Sequence, residues 1–145
     1  MNAFRKLLAI PLLVLTVLFA GAAAVTATHK LGNTLQLAQL EPYLPKMMSA
    51  EWWLVAIAGA AALFWLVSAS SLLRGTRQAF IPFVIAFVAT AAVWLFGCQL
   101  PNHGYEFAAA ERVYEIAFFG GLAVLGALVA LTDRRKRYKP DVTVE

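Results

Sequence analysis

The chain has 145 residues, 61% of them hydrophobic and only 14% charged, with a formal net charge of +4 and a mean hydropathy of +0.72. That balance excludes an ordinary soluble domain and points to a membrane protein. A single cysteine, Cys98, excludes a dithiol relay, and two histidines, His29 and His103, exclude a pair of haems held by four histidines.

Four stretches lack Asp, Glu, Lys and Arg altogether: residues 7–29, 52–73, 78–105 and 116–132. At about 1.5 Å per residue, each is near or above the roughly 20 residues a helix needs to cross a ~30 Å hydrocarbon layer. None alternates apolar and polar positions as a membrane β-barrel requires. The sequence therefore predicts an all-α membrane protein. Its four transmembrane helices, at 7–28, 52–73, 79–98 and 111–132, form an antiparallel bundle, and a basic tail follows at 133–145.

The first helix also carries the features of a secretory signal. "MNAFRK" supplies a basic region, "LLAIPLLVLTVLFAG" an apolar one, and Val25-Thr26-Ala27 suits cleavage. The apolar stretch from Leu7 to Ala27 is longer than the roughly 7–15 residues of a signal core, which favours retention. Pro11 is expected in the second turn of a helix that starts at Leu7, where a missing N–H costs little.

In the loop at residues 30–50, Leu31, Leu35 and Leu40 alternate with Asn33, Gln36 and Gln39 until Pro42 and Pro45 intervene. This is a short amphipathic segment suited to the outer interface. Trp52, Trp53 and Trp94 are placed as interfacial aromatic anchors. In the second helix, Ala56-x-x-x-Ala60 offers a close-packing face. Ser68, Ser70, Ser71 and Thr90 can bond to their own helix carbonyls. "LRGTRQ" makes a tight turn, with Gly75 supplying flexibility and Arg74 and Arg77 facing headgroups.

"CQLPNHGYE" leads into the fourth helix, whose first turns carry Glu111, Arg112 and Glu115. The tetrad Glu111-Arg112-Val113-Tyr114 resembles part of an E-R-V motif in the membrane-associated eicosanoid and glutathione metabolism family. That family's motif continues through polar residues and follows its first helix. Here Phe118, Phe119 and Gly120 follow, and the tetrad opens the last helix, so no glutathione site is carried over. Glu115 stands 17 charge-free residues before Asp133, about 26 Å of helix, which draws it to the hydrocarbon border. With Glu111, His103 and His29 it forms a candidate polar site at the outer face, suited to a metal, a single haem or a quinone headgroup. The plain alternative is that the carboxylates complement the helix dipole and pair with Arg112. Small residues recur at Ala117, Gly121, Gly126 and Ala130, spacing that suits helix packing within the chain or onto a partner.

Nine of the twelve basic residues (Arg5, Lys6, Arg74, Arg77, Arg134, Arg135, Lys136, Arg137 and Lys139) fall on one side of this arrangement. Five of the eight acidic residues fall on the other. The positive-inside rule then places both termini in the cytoplasm, with Arg134, Arg135, Lys136 and Arg137 against anionic lipid. The basic balance needs no nucleic acid. No phosphate loop, H-E-x-x-H or nucleophile elbow occurs. The reading favoured is a small polytopic protein of a bacterial inner membrane, an accessory or assembly subunit rather than an enzyme, without a cofactor. It would associate with a membrane-protein partner or with copies of itself. The rivals are a redox, metal, haem or quinone-binding protein and a small transporter, for which Thr16, Ser68 and Thr90 are the mid-membrane polar residues.

Cysteine labelling in intact cells tests this orientation. A membrane-impermeant reagent is expected to label positions 33 and 102 and to leave position 75 untouched; labelling at 75 would reverse the topology.

Overall fold

Inside hydrocarbon, backbone N–H and C=O groups have no water to bond, so a charge-free run satisfies them by coiling into a helix. The computed structural model describes residues 2–31, 51–76, 78–96 and 109–134; the side chains of Asn2, His29, residues 109–112 and Arg134 fall outside that description. Among these residues the protein is all-helical, with α1 (Asn2–Lys30), α2 (Trp52–Arg74), α3 (Phe80–Trp94) and α4 (Ala109–Arg134). Three helices are long and apolar enough to cross a membrane, over Ala3–Thr28, Trp52–Arg74 and Val113–Asp133. The amphipathic segment expected in the first loop lies outside the described residues.

Two helices depart from expectation. α3 has 15 residues, about 22 Å of helix, and its ladder gives way to a wider π-type turn at Leu95 and Phe96. An uncharged run marks where a helix is tolerated, not where its hydrogen bonds end. α1 starts at Asn2 rather than Leu7, so Pro11 lies well inside it. Lacking an N–H, Pro11 leaves the carbonyl of Leu7 without its partner four residues on.

α1 packs most extensively on α2 and α2 on α3, whereas α4 meets α3 and α1 only thinly. Buried positions in α2 (Leu54, Ala58, Ala61, Ala62, Trp65, Ser68, Ala69 and Leu72) recur three and four residues apart, as one helix face requires. Ala56 and Ala60 point the other way and are exposed. The central core collects Leu8, Leu12 and Leu15 of α1, Trp65 and Leu72 of α2, Ala79, Phe83 and Ala86 around the start of α3, and Leu122 and Val129 of α4. The core therefore lies towards the end that holds Arg5, here the Arg5 end. Towards the Trp52 end, residues 16–25 of α1 and 113–121 of α4 include no fully buried side chain.

Trp65 is completely buried. An indole N–H in an apolar interior must find an acceptor, and Trp65 Nε1 donates to Thr90 Oγ1 across the α2–α3 contact at 3.1 Å. Ser68 Oγ likewise donates to the carbonyl of Ala79 at 2.8 Å. Ser68 thus bonds outside its own helix and the Thr90 oxygen accepts across a helix contact, while Ser70 bonds locally, to Val67 O at 2.9 Å. The Phe83 ring meets Trp65 edge-on at 5.0 Å between centroids. Its far side fills the space over Gly126, where a Cβ would come within 2.7 Å of Phe83 Cε1. Glycine at 126 is therefore what lets α4 approach α3.

The turn after α2 is defined rather than merely flexible. Gly75 adopts φ 72°, a left-handed conformation, with Gly75 N–H bonded to Leu72 O at 3.2 Å and Thr76 N–H to Ser71 O at 3.0 Å. These are the two bonds that close a helix on a left-handed glycine.

A double-mutant cycle on Trp65→Phe and Thr90→Val, followed by reversible unfolding in detergent, is expected to give a coupling energy of about 0.6–1.5 kcal/mol. Strictly additive effects would show that this bond adds nothing to the α2–α3 contact.

Candidate functional site

The structure carries a polar group of residues near each end of the helices. At the Arg5 end the sequence supplies two cations on α1, Arg5 and the exposed Lys6, a carboxylate on α4, and the turn between α2 and α3. Arg5, only 2% exposed, is buried among them. Its Nη2 donates to the carbonyl of Thr132 in the last turn of α4 at 2.9 Å. Its Nη1 donates to the carbonyl of Thr76 at 3.3 Å. A guanidinium has a planar fork of donors and a positive charge that suits the carbonyl end of a helix. Arg5 therefore fastens α1 to α4 and to the α2–α3 turn at once. In the sequence Arg5 counts with Lys6 among the basic residues of one side; the structure turns it inward, because α1 begins early enough for its face to meet the end of α4.

Asp133 makes the complementary contact. Ala79, which precedes α3, has no polar side chain to cap that helix, and Asp133 Oδ2 accepts from Phe80 N–H at 3.1 Å. The cap is thus supplied by another helix, with a negative charge at a helix N-terminus where the dipole favours it. Arg5 Nε and Asp133 Oδ1 are buried with no hydrogen-bond partner among the described residues.

At the Trp52 end, aromatic rings dominate. Phe119 of α4 meets Trp94 at 5.2 Å, Phe87 at 6.0 Å and its neighbour Phe118 at 5.4 Å, all edge-to-face. Trp94 is half-buried, with its ring against α4. Trp53 packs on Phe96 at 5.4 Å and bonds through Nε1 to Glu51. Lys30 Nζ lies 5.5 Å from the centre of the exposed Trp52 ring, a cation–π distance.

Glu115 lies on α4, one turn before Phe119, half-buried and engaged in an interaction. Glu111 belongs to the first turns of α4 and His29 to the last turn of α1, but their side chains, and all of His103, lie outside the described residues. Among the described residues no three His, Cys, Asp or Glu side chains are grouped to hold a metal ion. Of the small residues, Gly126 faces Phe83, Ala130 is half-buried, and Ala117 and Gly121 are exposed. Arg134 closes α4, while Arg135, Lys136 and Arg137 lie outside the described residues. No family model matches the chain, no curated protein is significantly similar to it, and no solved structure matches its fold.

The Arg5 contacts predict a graded loss of stability. Arg5→Met keeps the aliphatic stem but removes both bonds, and should cost about 2 kcal/mol in detergent unfolding. Arg5→Lys keeps the charge without the fork and should cost less. Equal stability of all three proteins would show that the buried guanidinium holds nothing in place.

Proposed function

We propose that this chain is a protein of a bacterial inner membrane whose helices alternate in direction, with both termini cytoplasmic, and which serves as an accessory or assembly subunit of a larger membrane complex. The direction of the helices is supported by Arg5, whose bonds gather the start of α1, the turn after α2 and the end of α4 at one level. The concentration of basic residues in those same segments supports assigning that level to the cytoplasm.

The subunit role rests on one observation, the outward face of α4. This helix is thinly attached to the rest of the chain. It exposes Val113, Ala117, Gly120, Gly121 and Val124, and a Cβ placed on Gly120 or Gly121 would meet nothing within 4 Å. Lipid tails gain no dispersion contact from a glycine, whereas a second helix gains close backbone approach. The two glycine positions divide the work: Gly126 serves the chain's own packing, and Gly121 is left for a neighbour. The polar groups in mid-helix favour the same reading over a transport path, since Trp65 with Thr90 and Ser68 with Ala79 satisfy each other.

Three substitutions test this. Gly121→Leu should leave the purified protein as stable as the wild type but reduce, by tenfold or more, the proteins recovered with it in mild detergent. Gly126→Leu should destabilise the chain itself by about 1–3 kcal/mol through overpacking against Phe83. Glu115→Gln should leave both fold and association unchanged. Loss of the cellular phenotype in a well-folded Glu115→Gln protein, with full association of Gly121→Leu, would move the function to the carboxylate and defeat the subunit reading.

A further inference from the structure

The first helix contains a sequence that suits signal peptidase, Val25-Thr26-Ala27, preceded by a basic start and a long apolar run. The structure offers a second explanation for the same small residues. Ala22, Ala23 and Thr26 of α1 face Leu54, Val55 and Ala58 of α2 and Val93 of α3 across a narrow apolar cleft of about 120 Å³. The α1–α2 contact is the most extensive between helices in the fold, and small side chains beside the cleft allow the two backbones to approach. Thr26 is buried, Val25, Ala27 and Thr28 are half-buried, and the helix continues without a break to Lys30.

The bond that a peptidase would cut is held in that helix. The carbonyl of Ala27 accepts a hydrogen bond from Leu31 N–H at 3.0 Å. On either side, Thr26 Oγ1 donates to Ala22 O at 2.7 Å and Thr28 Oγ1 to Val25 O at 2.8 Å. Proteases act on extended, accessible backbone, and hydrolysis at Ala27 would require this turn to unwind and leave α2. At the other end of α1, Leu8, Ala9, Leu12 and Leu15 are core residues, and Arg5 is bonded to Thr76 and Thr132. A chain cut after Ala27 would lose the helix with the most extensive packing partner in the fold.

We infer that Val25-Thr26-Ala27 is a signal-peptidase site concealed by folding: the docking of α1 on α2 protects the bond after Ala27, and α1 is kept as part of the mature protein. Protection then depends on packing and not on the sequence of α1 alone. Two classes of substitution separate these. Ala58→Trp crowds the cleft from the α2 side, and Leu54→Asp sets a charge beside it that draws water between α1 and α2; neither alters a residue of α1. Ala27→Leu places a bulky side chain directly before the bond and blocks a peptidase that needs a small residue there.

The experiment follows the full chain, carrying a C-terminal tag, by pulse labelling in a bacterial host with active signal peptidase, with intact-mass measurement of the products. The wild type should keep its N-terminal helix. Ala58→Trp and Leu54→Asp should yield, within the first minutes and before degradation, a product beginning at Thr28. Adding Ala27→Leu to either variant should abolish that product. A wild-type protein beginning at Thr28 would overturn the inference. So would unpacked variants that stay whole, because retention would then owe nothing to the α1–α2 contact.

Discussion

One buried guanidinium sets the arrangement of the helices. In a low-dielectric interior a positive charge is costly unless oriented dipoles meet it, and Arg5 is met by the carbonyls of Thr76 and Thr132. These two acceptors belong to segments 71 and 127 residues away in the chain. Few other contacts are available to hold α4, which touches the remaining helices thinly. Asp133, one residue beyond the Arg5 acceptor, caps α3 in turn. Charges of opposite sign thus sit at helix ends of opposite polarity, and a membrane protein with little intrahelical preference for one neighbour over another acquires a unique arrangement at that level.

From this fastening follows an uneven distribution of packing. The indole of Trp65, the ring of Phe83 and the missing side chain of Gly126 form a continuous layer from α2 through α3 to α4 at the Arg5 end. Further along, α4 makes aromatic contacts through Phe119. A helix anchored at one end and lightly held at the other offers its outward face to a neighbour at little cost to its own fold. That is the physical basis for reading the chain as a component of a larger assembly.

Much of the architecture was legible in composition, because an uncharged run long enough to cross a membrane has few alternatives to a helix. That argument located all four helices, yet it carried α3 on to residue 98, past the π-type turn at Leu95 and Phe96, and assumed that α1 began after its basic residues. Arg5 shows the limit most clearly. In sequence it is one of nine cations on the same side, and nothing in its neighbours separates it from Lys6; only the register of α1 against α4 turns it inward. The glycines of α4 behave similarly. Gly121 and Gly126 both belong to small-residue spacings, but which one meets Phe83 depends on the rotation of the helix, and spacing alone carries no information about rotation. The candidate outer-face site was legible only as a set of residue types, since Glu111, His29 and His103 lie on separate segments and spacing between segments fixes no distance.

The most direct measurement of the central claim is nitrogen NMR of the arginine side chains, with the protein in lipid nanodiscs. Arg5 and Arg74 belong to neighbouring segments at the same end of the structure, but Arg5 is buried and hydrogen-bonded while Arg74 is exposed. The guanidinium protons of Arg5, assigned by their disappearance in Arg5→Lys, should exchange with water far more slowly than those of Arg74. Exchange of the two at the same rate would mean that Arg5 lies in the headgroups, and the arrangement of α1, α3 and α4 described here would lose its fastening.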